Sequence, residues 1–239
     1  MGREFEIVAE TEIDGTPQQV FDAATAGTSG WLWPMEMEPG LGGAGPFGSV
    51  VTAWEPPHHY ANHVDGENGF FNHLDYLIEE RAGGRSWLRY VHSGVIFDDW
   101  DNQYDGARRH TEFYQHTLGE YVKHFSGRQA AFADVQGPAA SGSPEAFETL
   151  RSSLGVDGAV QGGAVRALGP DGAALEAVLD FSNENFIGLR TVDAMYRFFG
   201  RNAFGSVVGM TIHLFADGAD AATEGARWQQ WLDGLYASA

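Results

Sequence analysis

The sequence predicts an α+β fold in which one order of elements (strand, short helix, several strands, long helix) runs twice along 239 residues. Three observations carry this expectation. Phe5, Ile7, Ala9, Thr11 and Ile13 alternate with Glu6, Glu10 and Glu12, the period of a strand with one buried face. Trp100, Tyr104, Ala107, Thr111, Tyr114, Leu118, Tyr121 and Phe125 recur at alternating steps of 4 and 3, the stripe of one long amphipathic helix. The order then restarts near residue 128 and closes on a second terminal helix, with Trp228, Trp231 and Leu235 on one face. The expected domains are 1–127 and 128–239.

The elements follow in order. After the first strand, Thr16 is placed as the N-cap of a helix, with Pro17 at its first position and Val20, Phe21 and Ala24 on its apolar side. Gly27 and Gly30 end it, and Trp31-Leu32-Trp33-Pro34 forms an aromatic knot ahead of a glycine-rich loop over 39–48. Strand-like runs come next at 49–54, 59–64, 73–80 and 86–92, separated by Pro56-Pro57, Asp65-Gly66 with Asn68-Gly69, and Gly83-Gly84. Leu74, Tyr76 and Ile78 share one strand face; Leu88, Tyr90 and His92 share another. Asp98, Asp99 and Asp101 favour the positive end of the long helix that follows, and Gly127 stops it.

In the second half a strand is expected over 130–135. Ser143 and Pro144 are placed as an N-cap and first helical residue, ahead of Phe147, Leu150 and Leu154. Strands are expected over 163–168, 173–181 and 205–215, and a last helix over 219–236. The stretch 186–199 reads equally as strand or short helix.

Composition excludes several function classes. Asp and Glu number 33 against 14 Lys and Arg, a net charge of −19 that repels polyanions, so no nucleic-acid partner is expected. Lys123 is the only lysine, which removes a phosphate-binding Walker loop. With no cysteine there is no disulfide, thiolate metal site or cysteine nucleophile. The N-terminal residues lack the apolar core of a signal peptide, and no run approaches ~18 apolar residues. A cytoplasmic protein without a membrane span is expected.

Most candidate sites reduce to structure. Gly43 to Gly48 fits G-x-G-x-x-G, but Pro39-Gly40 precedes it and a strand-like run follows, so it is read as a loop. His58, His59 and His63 surround a turn, and Glu112, His116, Glu120 and His124 fall at i, i+4 spacing; without His-Glu-x-x-His order they read as a solvated face, and no metal or other cofactor is expected. No Gly-x-Ser-x-Gly elbow occurs. Arg108 and Arg109 read as surface ion-pair partners, and Asp180 and Glu184 have no assigned role. No catalytic residue is assigned. The long-helix stripe is unusual in its Tyr and Trp content, which suits a cavity for an apolar guest needing one or two hydrogen bonds.

Several ordered motifs resemble a known family. Phe5-Glu6-Ile7, Thr16-Pro17-Gln18-Gln19-Val20-Phe21-Asp22-Ala23, Trp31 and the glycine-rich loop are followed by Trp54-Glu55-Pro56-Pro57-His58, Leu88-Arg89-Tyr90-Val91-His92-Ser93-Gly94 and the Trp-containing helix. Together they resemble the SRPBCC (START-like, helix-grip) superfamily, in the branch named after the activator of heat shock protein 90 ATPase. The resemblance covers residues 3 to about 127; the remainder resembles the C-terminal extension of some actinobacterial members. It implies a helix-grip fold, a curved antiparallel sheet around a long helix, in two tandem copies with the second degenerate. It also implies a small hydrophobic ligand, aromatic or lipid-like, held between sheet and helix. Trp31, Trp33, Tyr76, Tyr90, His92, Trp100, Tyr104 and Tyr114 are the expected lining. The resemblance leaves two alternatives: a polyketide-type aromatase or cyclase, and a co-chaperone-like activator acting through a protein partner or as a homodimer.

Overall fold

The computed structural model describes residues Gly2–Ala237, and the chain divides after Arg128 into two compact units. The first contains β1 (Arg3–Ile13), α1 (Pro17–Ala24), β2 (Val50–Glu55), β3 (His59–Asp65), β4 (Phe71–Arg81), β5 (Arg85–Ile96) and α2 (Trp100–Phe125). Its antiparallel sheet has the order β1-β5-β4-β3-β2, so the first strand lies beside the last and the others meander to the far edge. The register sets Tyr76 opposite Tyr60 on one side and Tyr90 on the other. Because side chains alternate along a strand, Tyr60, Asn62, Leu74, Tyr76, Tyr90 and His92 share one face, the face that α2 covers.

Local chemistry fixes where the helices begin. The Thr16 hydroxyl accepts from Gln19 N–H at 3.3 Å, and the Gln19 carboxamide oxygen accepts from Thr16 N–H at 2.9 Å; Pro17 opens the helix. This reciprocal cap satisfies two amides that would otherwise be orphaned. At α2, Asp99 takes the N-cap position in a left-handed conformation (φ 46°, ψ 50°), and Asn102 donates to its carboxylate at 3.1 Å. Gly30 is required where the Tyr121 ring lies over the backbone, since a Cβ there would stand 2.3 Å from the ring.

The second unit repeats the plan with β6 (Ala131–Gln136), α3 (Ala146–Leu154), β7 (Ala164–Leu168), β8 (Ala174–Ser182), β9 (Phe186–Arg190), β10 (Ala194–Phe199), β11 (Gly209–Leu214) and α4 (Ala221–Tyr236). Its six strands take the order β6-β11-β10-β9-β8-β7, again with the first beside the last. Both units are helix-grip folds. The second is reduced in its helix, 16 residues against 26, and not in its sheet.

Two expectations change here. Ser143 is not a helix cap: its carbonyl accepts from Ala146 N–H at 3.1 Å in a preceding turn, and α3 starts at Ala146 without a side-chain cap. Asn202 holds the Ser143 and Pro144 carbonyls at 2.9 and 3.2 Å, which fixes that turn. The ambiguous stretch 186–199 is a hairpin, β9 and β10, turned by Thr191, whose hydroxyl accepts from Asp193 N–H at 3.2 Å. Both of its strands are buried on both faces, which erases the alternation that would have marked them.

The core of the second unit centres on Trp228. Trp228 on α4 is 1% exposed and packs against Tyr196 and Phe198 with ring centroids 5.5 and 5.6 Å away. Phe147, Leu150, Leu179, Leu189 and Met210 complete the cluster, each buried side chain of this size contributing ~1.5–3 kcal/mol. Within the same sheet, Arg197 donates to the Asp180 carboxylate at 2.5 Å, the two side chains 1% and 3% exposed. Gly188 on β9 pairs with Arg197 in register and leaves the space for this contact. No helix among the described residues is long and apolar enough to cross a membrane.

Candidate functional site

A cavity of about 510 Å³ lies in the first unit between the sheet and α2. Its floor is a row of aromatic rings on neighbouring strands. Tyr60 stacks on Tyr76 at 5.7 Å, Tyr76 meets Tyr90 at 4.8 Å, and Tyr90 meets His92 at 6.5 Å. The roof comes from the middle turns of α2, where Ala107, Thr111, Tyr114 and Gln115 repeat at helical spacing. One side is closed by the loop after α1, through Trp31, Trp33, Met35 and Met37, and by its return through Pro46, Phe47 and Ser49. Phe47, at φ 55°, is 77% exposed yet touches the cavity, and Phe70 is 37% exposed; these two mark its rim.

Of the eight expected lining residues, Trp31, Trp33, Tyr76, Tyr90, His92 and Tyr114 meet in these walls. Trp31 is anchored by the end of α1. Its indole N–H donates to the Ala23 carbonyl at 2.9 Å, one of the last-turn acceptors a helix leaves open. Trp33 meets Tyr114 edge to face at 5.8 Å.

Trp100 and Tyr104 stand outside. Their rings stack on each other at 4.7 Å and 7°, and the Arg3 guanidinium lies 3.6 Å over Trp100. Phe5 of β1 fills the space between them and the site, 6.5 Å from Tyr104 and 5.0 Å from His92. The reason is position along the helix: α2, 26 residues and ~39 Å long, lines the cavity only between Ala107 and Gln115, and its first turn packs against Arg3 and Phe5 instead.

The polar groups of the site are tuned by burial. His92 Nε2 donates to the Asn72 carboxamide oxygen at 2.7 Å, and desolvation lowers its pKa to about 4. The ring is therefore neutral near pH 7, with Nδ1 left as an acceptor. Burial, followed by the neighbouring phenols Tyr90 and Tyr60, pushes the Tyr76 hydroxyl well above the usual phenol range. Burial, followed by Tyr114, does the same at Tyr90. Both stay protonated near neutral pH. Asn62 donates to the Tyr60 hydroxyl at 2.9 Å.

Asn62, Asn72, Ser49 and Gln115 were missed by the sequence reading. Strand alternation contained the signal for the first two, which share parity with Tyr60 and Tyr76. The step of 4 from Thr111 pointed to Gln115. The loop residues carried no periodic signal at all.

His110 of α2 also lines the cavity, its Nδ1 2.7 Å from the Gly106 carbonyl oxygen, and the remaining histidines lie elsewhere. His59 and His63 occupy the opposite face of the sheet, where their Nε2 atoms sit 3.1 Å from Asp75 and Asp65 respectively. His124 Nε2 lies 3.6 Å from Glu120. No group of three or more His, Asp or Glu among the described residues is arranged to hold a metal ion. Arg108 and Arg109 both pair with Asp105, at 2.9 and 2.6 Å. Residues 43–48 form a loop bridged to β2 through Ala44 and Val50, and they precede no helix of the kind that holds a dinucleotide.

No protein-family model and no curated protein matches the chain. Solved structures resemble it at low identity. DynU16, described as a putative protein in the dynemicin biosynthetic locus, is 14% identical, with 97% of this chain and 96% of that one covered and a TM-score of 0.41. The Aha1 dimer from Colwellia psychrerythraea is 16% identical over 52% of this chain and 99% of its own, with a TM-score of 0.41. Protein MLL2253 from Mesorhizobium loti is 18% identical over 51% and 98%, with a TM-score of 0.42.

Proposed function

We propose that the first unit binds a small, predominantly apolar ligand, aromatic or lipid-like, between its sheet and α2, with no chemistry assigned. The observation that carries this is the cavity itself. Close-packed interiors leave few voids larger than a water molecule, whereas about 510 Å³ falls in the ~300–1,000 Å³ range of small-molecule sites. In the second unit α4 packs Trp228 onto Tyr196 and Phe198, and the cavity of about 460 Å³ beside Trp228 is lined by charged side chains, Asp193, Asp220, Glu224 and Arg227 among them. Burial of an apolar guest would supply most of the affinity, at ~25 cal/mol per Å² removed from water.

The state of His92 favours binding over catalysis. A general base works best with a pKa near the operating pH, and an imidazole lowered to about 4 is a weak proton acceptor at neutrality. Tyr76 and Tyr90, held protonated by burial, are no stronger as bases. The cyclase alternative would have to use His110, the other imidazole of the lining, whose Nδ1 lies 2.7 Å from the Gly106 carbonyl oxygen.

The test is thermal unfolding of the full chain against a panel of polycyclic aromatics and neutral lipids. At least one compound raises the Tm in a dose-dependent way, as binding to the native state requires. Ala107→Trp, which fills the cavity from its roof, removes the effect while the protein remains folded. Absence of stabilisation by every compound on folded wild-type protein overturns the proposal.

A further inference from the structure

We propose that the phenols of Tyr76 and Tyr90 are hydrogen-bond donors to the ligand, which presents to them an uncharged acceptor, a ketone or comparable carbonyl oxygen, on an otherwise apolar frame. This rests on the reading of the cavity as a ligand site.

Register makes the pair. Tyr76 on β4 and Tyr90 on β5 are direct cross-strand partners, their ring centroids are 4.8 Å apart, and both line the cavity. The two residues are 6% and 7% exposed. Neither hydroxyl has a hydrogen-bond partner among the described residues, yet neither oxygen is sealed by packing as Gln115 Oε1 and Ser49 Oγ are. Both strands are interior to the sheet, and on this face the open space beside them is the cavity.

A buried phenol ordinarily finds its partner within the protein. The other buried tyrosines behave that way. The Tyr60 hydroxyl accepts from Asn62 at 2.9 Å, Tyr121 donates to the Arg128 carbonyl at 3.1 Å, and Tyr236 donates to the Ala146 carbonyl at 2.8 Å. Two adjacent phenols without such a partner, both reaching the cavity, fit an acceptor that arrives with the ligand.

The chemistry of the group selects what it takes. A phenol donates well and accepts poorly, because its lone pair is drawn into the ring. Burial, followed by neighbouring phenols, keeps both hydroxyls protonated near neutral pH, so the donors are present. The lining has no Asp or Glu to take these protons, and no Lys or Arg to neutralise an anion. A carboxylate would lose its water there without a basic counter-ion, after approaching a chain of net charge −19. An uncharged carbonyl avoids both costs.

Three probes on one tricyclic frame test this by equilibrium dialysis against the full-length chain at pH 7.5: fluorene, 9-fluorenone and fluorene-9-carboxylate. The ketone is expected to bind about tenfold tighter than fluorene, the advantage of one or two added hydrogen bonds, with the carboxylate weakest. In the double variant Tyr76→Phe with Tyr90→Phe, that advantage falls towards unity while fluorene binds as before. The ligand-free Tm is unchanged or higher, since two unpartnered hydroxyls have been removed. A second measurement needs no variant. The infrared carbonyl stretch of bound fluorenone lies below its position in cyclohexane, a shift that a purely structural role for the phenols would not produce. Equal affinity for fluorene and fluorenone, an unshifted stretch, an advantage that survives in the double variant, or tightest binding of the carboxylate overturns the donor pair. Failure of all three probes to bind overturns the ligand-site reading, and the donor pair with it.

Discussion

His92 and Asn72 sit diagonally across β5 and β4, and the imidazole Nε2–H donates to the Asn72 carboxamide oxygen at 2.7 Å in the wall of the cavity. The contact selects one tautomer and gives the ring a partner that carries no charge. An amide satisfies the ring without stabilising its protonated form, so burial governs the titration and lowers the pKa to about 4. A carboxylate at position 72 would have the opposite effect.

A pH dependence of stability follows. The unfolded chain takes up a proton on His92 near pH ~6.5, while the folded imidazole resists it until about 4. Between those values the unfolded state binds more protons, so stability falls as pH falls and is fully present above ~6.5. The full difference is up to ~3 kcal/mol. Denaturant unfolding of wild type and His92→Gln between pH 7.5 and 4 measures it: the variant should lose less stability across this window. Parallel curves would exclude His92 as the source.

Trp31 joins the end of α1 to the cavity wall through its bond to Ala23, and it is 3% exposed. Trp31→Phe keeps an aromatic ring but leaves the Ala23 carbonyl without this donor and opens a small void. The expected loss is ~1–3 kcal/mol, read as a lower urea midpoint with an unchanged m-value.

The reciprocal cap at Thr16 and Gln19 is exposed, so its loss should be felt locally. Thr16→Ala is expected to cost ~1 kcal/mol, and Thr16→Asn or Thr16→Asp much less, because either side chain still accepts from the first turn. Hydrogen exchange at the α1 amides provides a second measurement: protection should drop in the alanine variant and return in the other two.

Gly188 and Gly234 make opposite predictions for the same substitution. A Cβ on Gly188 would stand 2.3 Å from both Arg197 Nη1 and Asp180 Oδ1, forcing apart a buried ion pair. Gly188→Ala should cost ~3 kcal/mol or more, the scale of a broken buried pair. Gly234 is exposed in the last turn of α4 with nothing within 4 Å of its added Cβ. Gly234→Ala should leave stability unchanged or raise it by up to ~1 kcal/mol. Thermal unfolding of the two variants side by side checks both.

What the sequence determined by itself is what depends on near neighbours along the chain. Thr16, Pro17 and Gln19 placed the start of α1 because capping is a matter of three or four residues. The stripe from Trp100 to Phe125 gave α2 its length and face, and strand alternation put Tyr76, Tyr90 and His92 on one side of their strands. Tertiary structure decided the rest. Phe5 cut Trp100 and Tyr104 off from the cavity, a contact between residues about a hundred positions apart. The loop through Trp33, Phe47 and Ser49 closes the wall without any periodicity to announce it. The hairpin of β9 and β10 is buried on both faces and so showed no alternation. Which polar atoms were left without partners also waited on the fold, because a hydrogen bond is completed or denied by groups that packing brings together from distant parts of the chain.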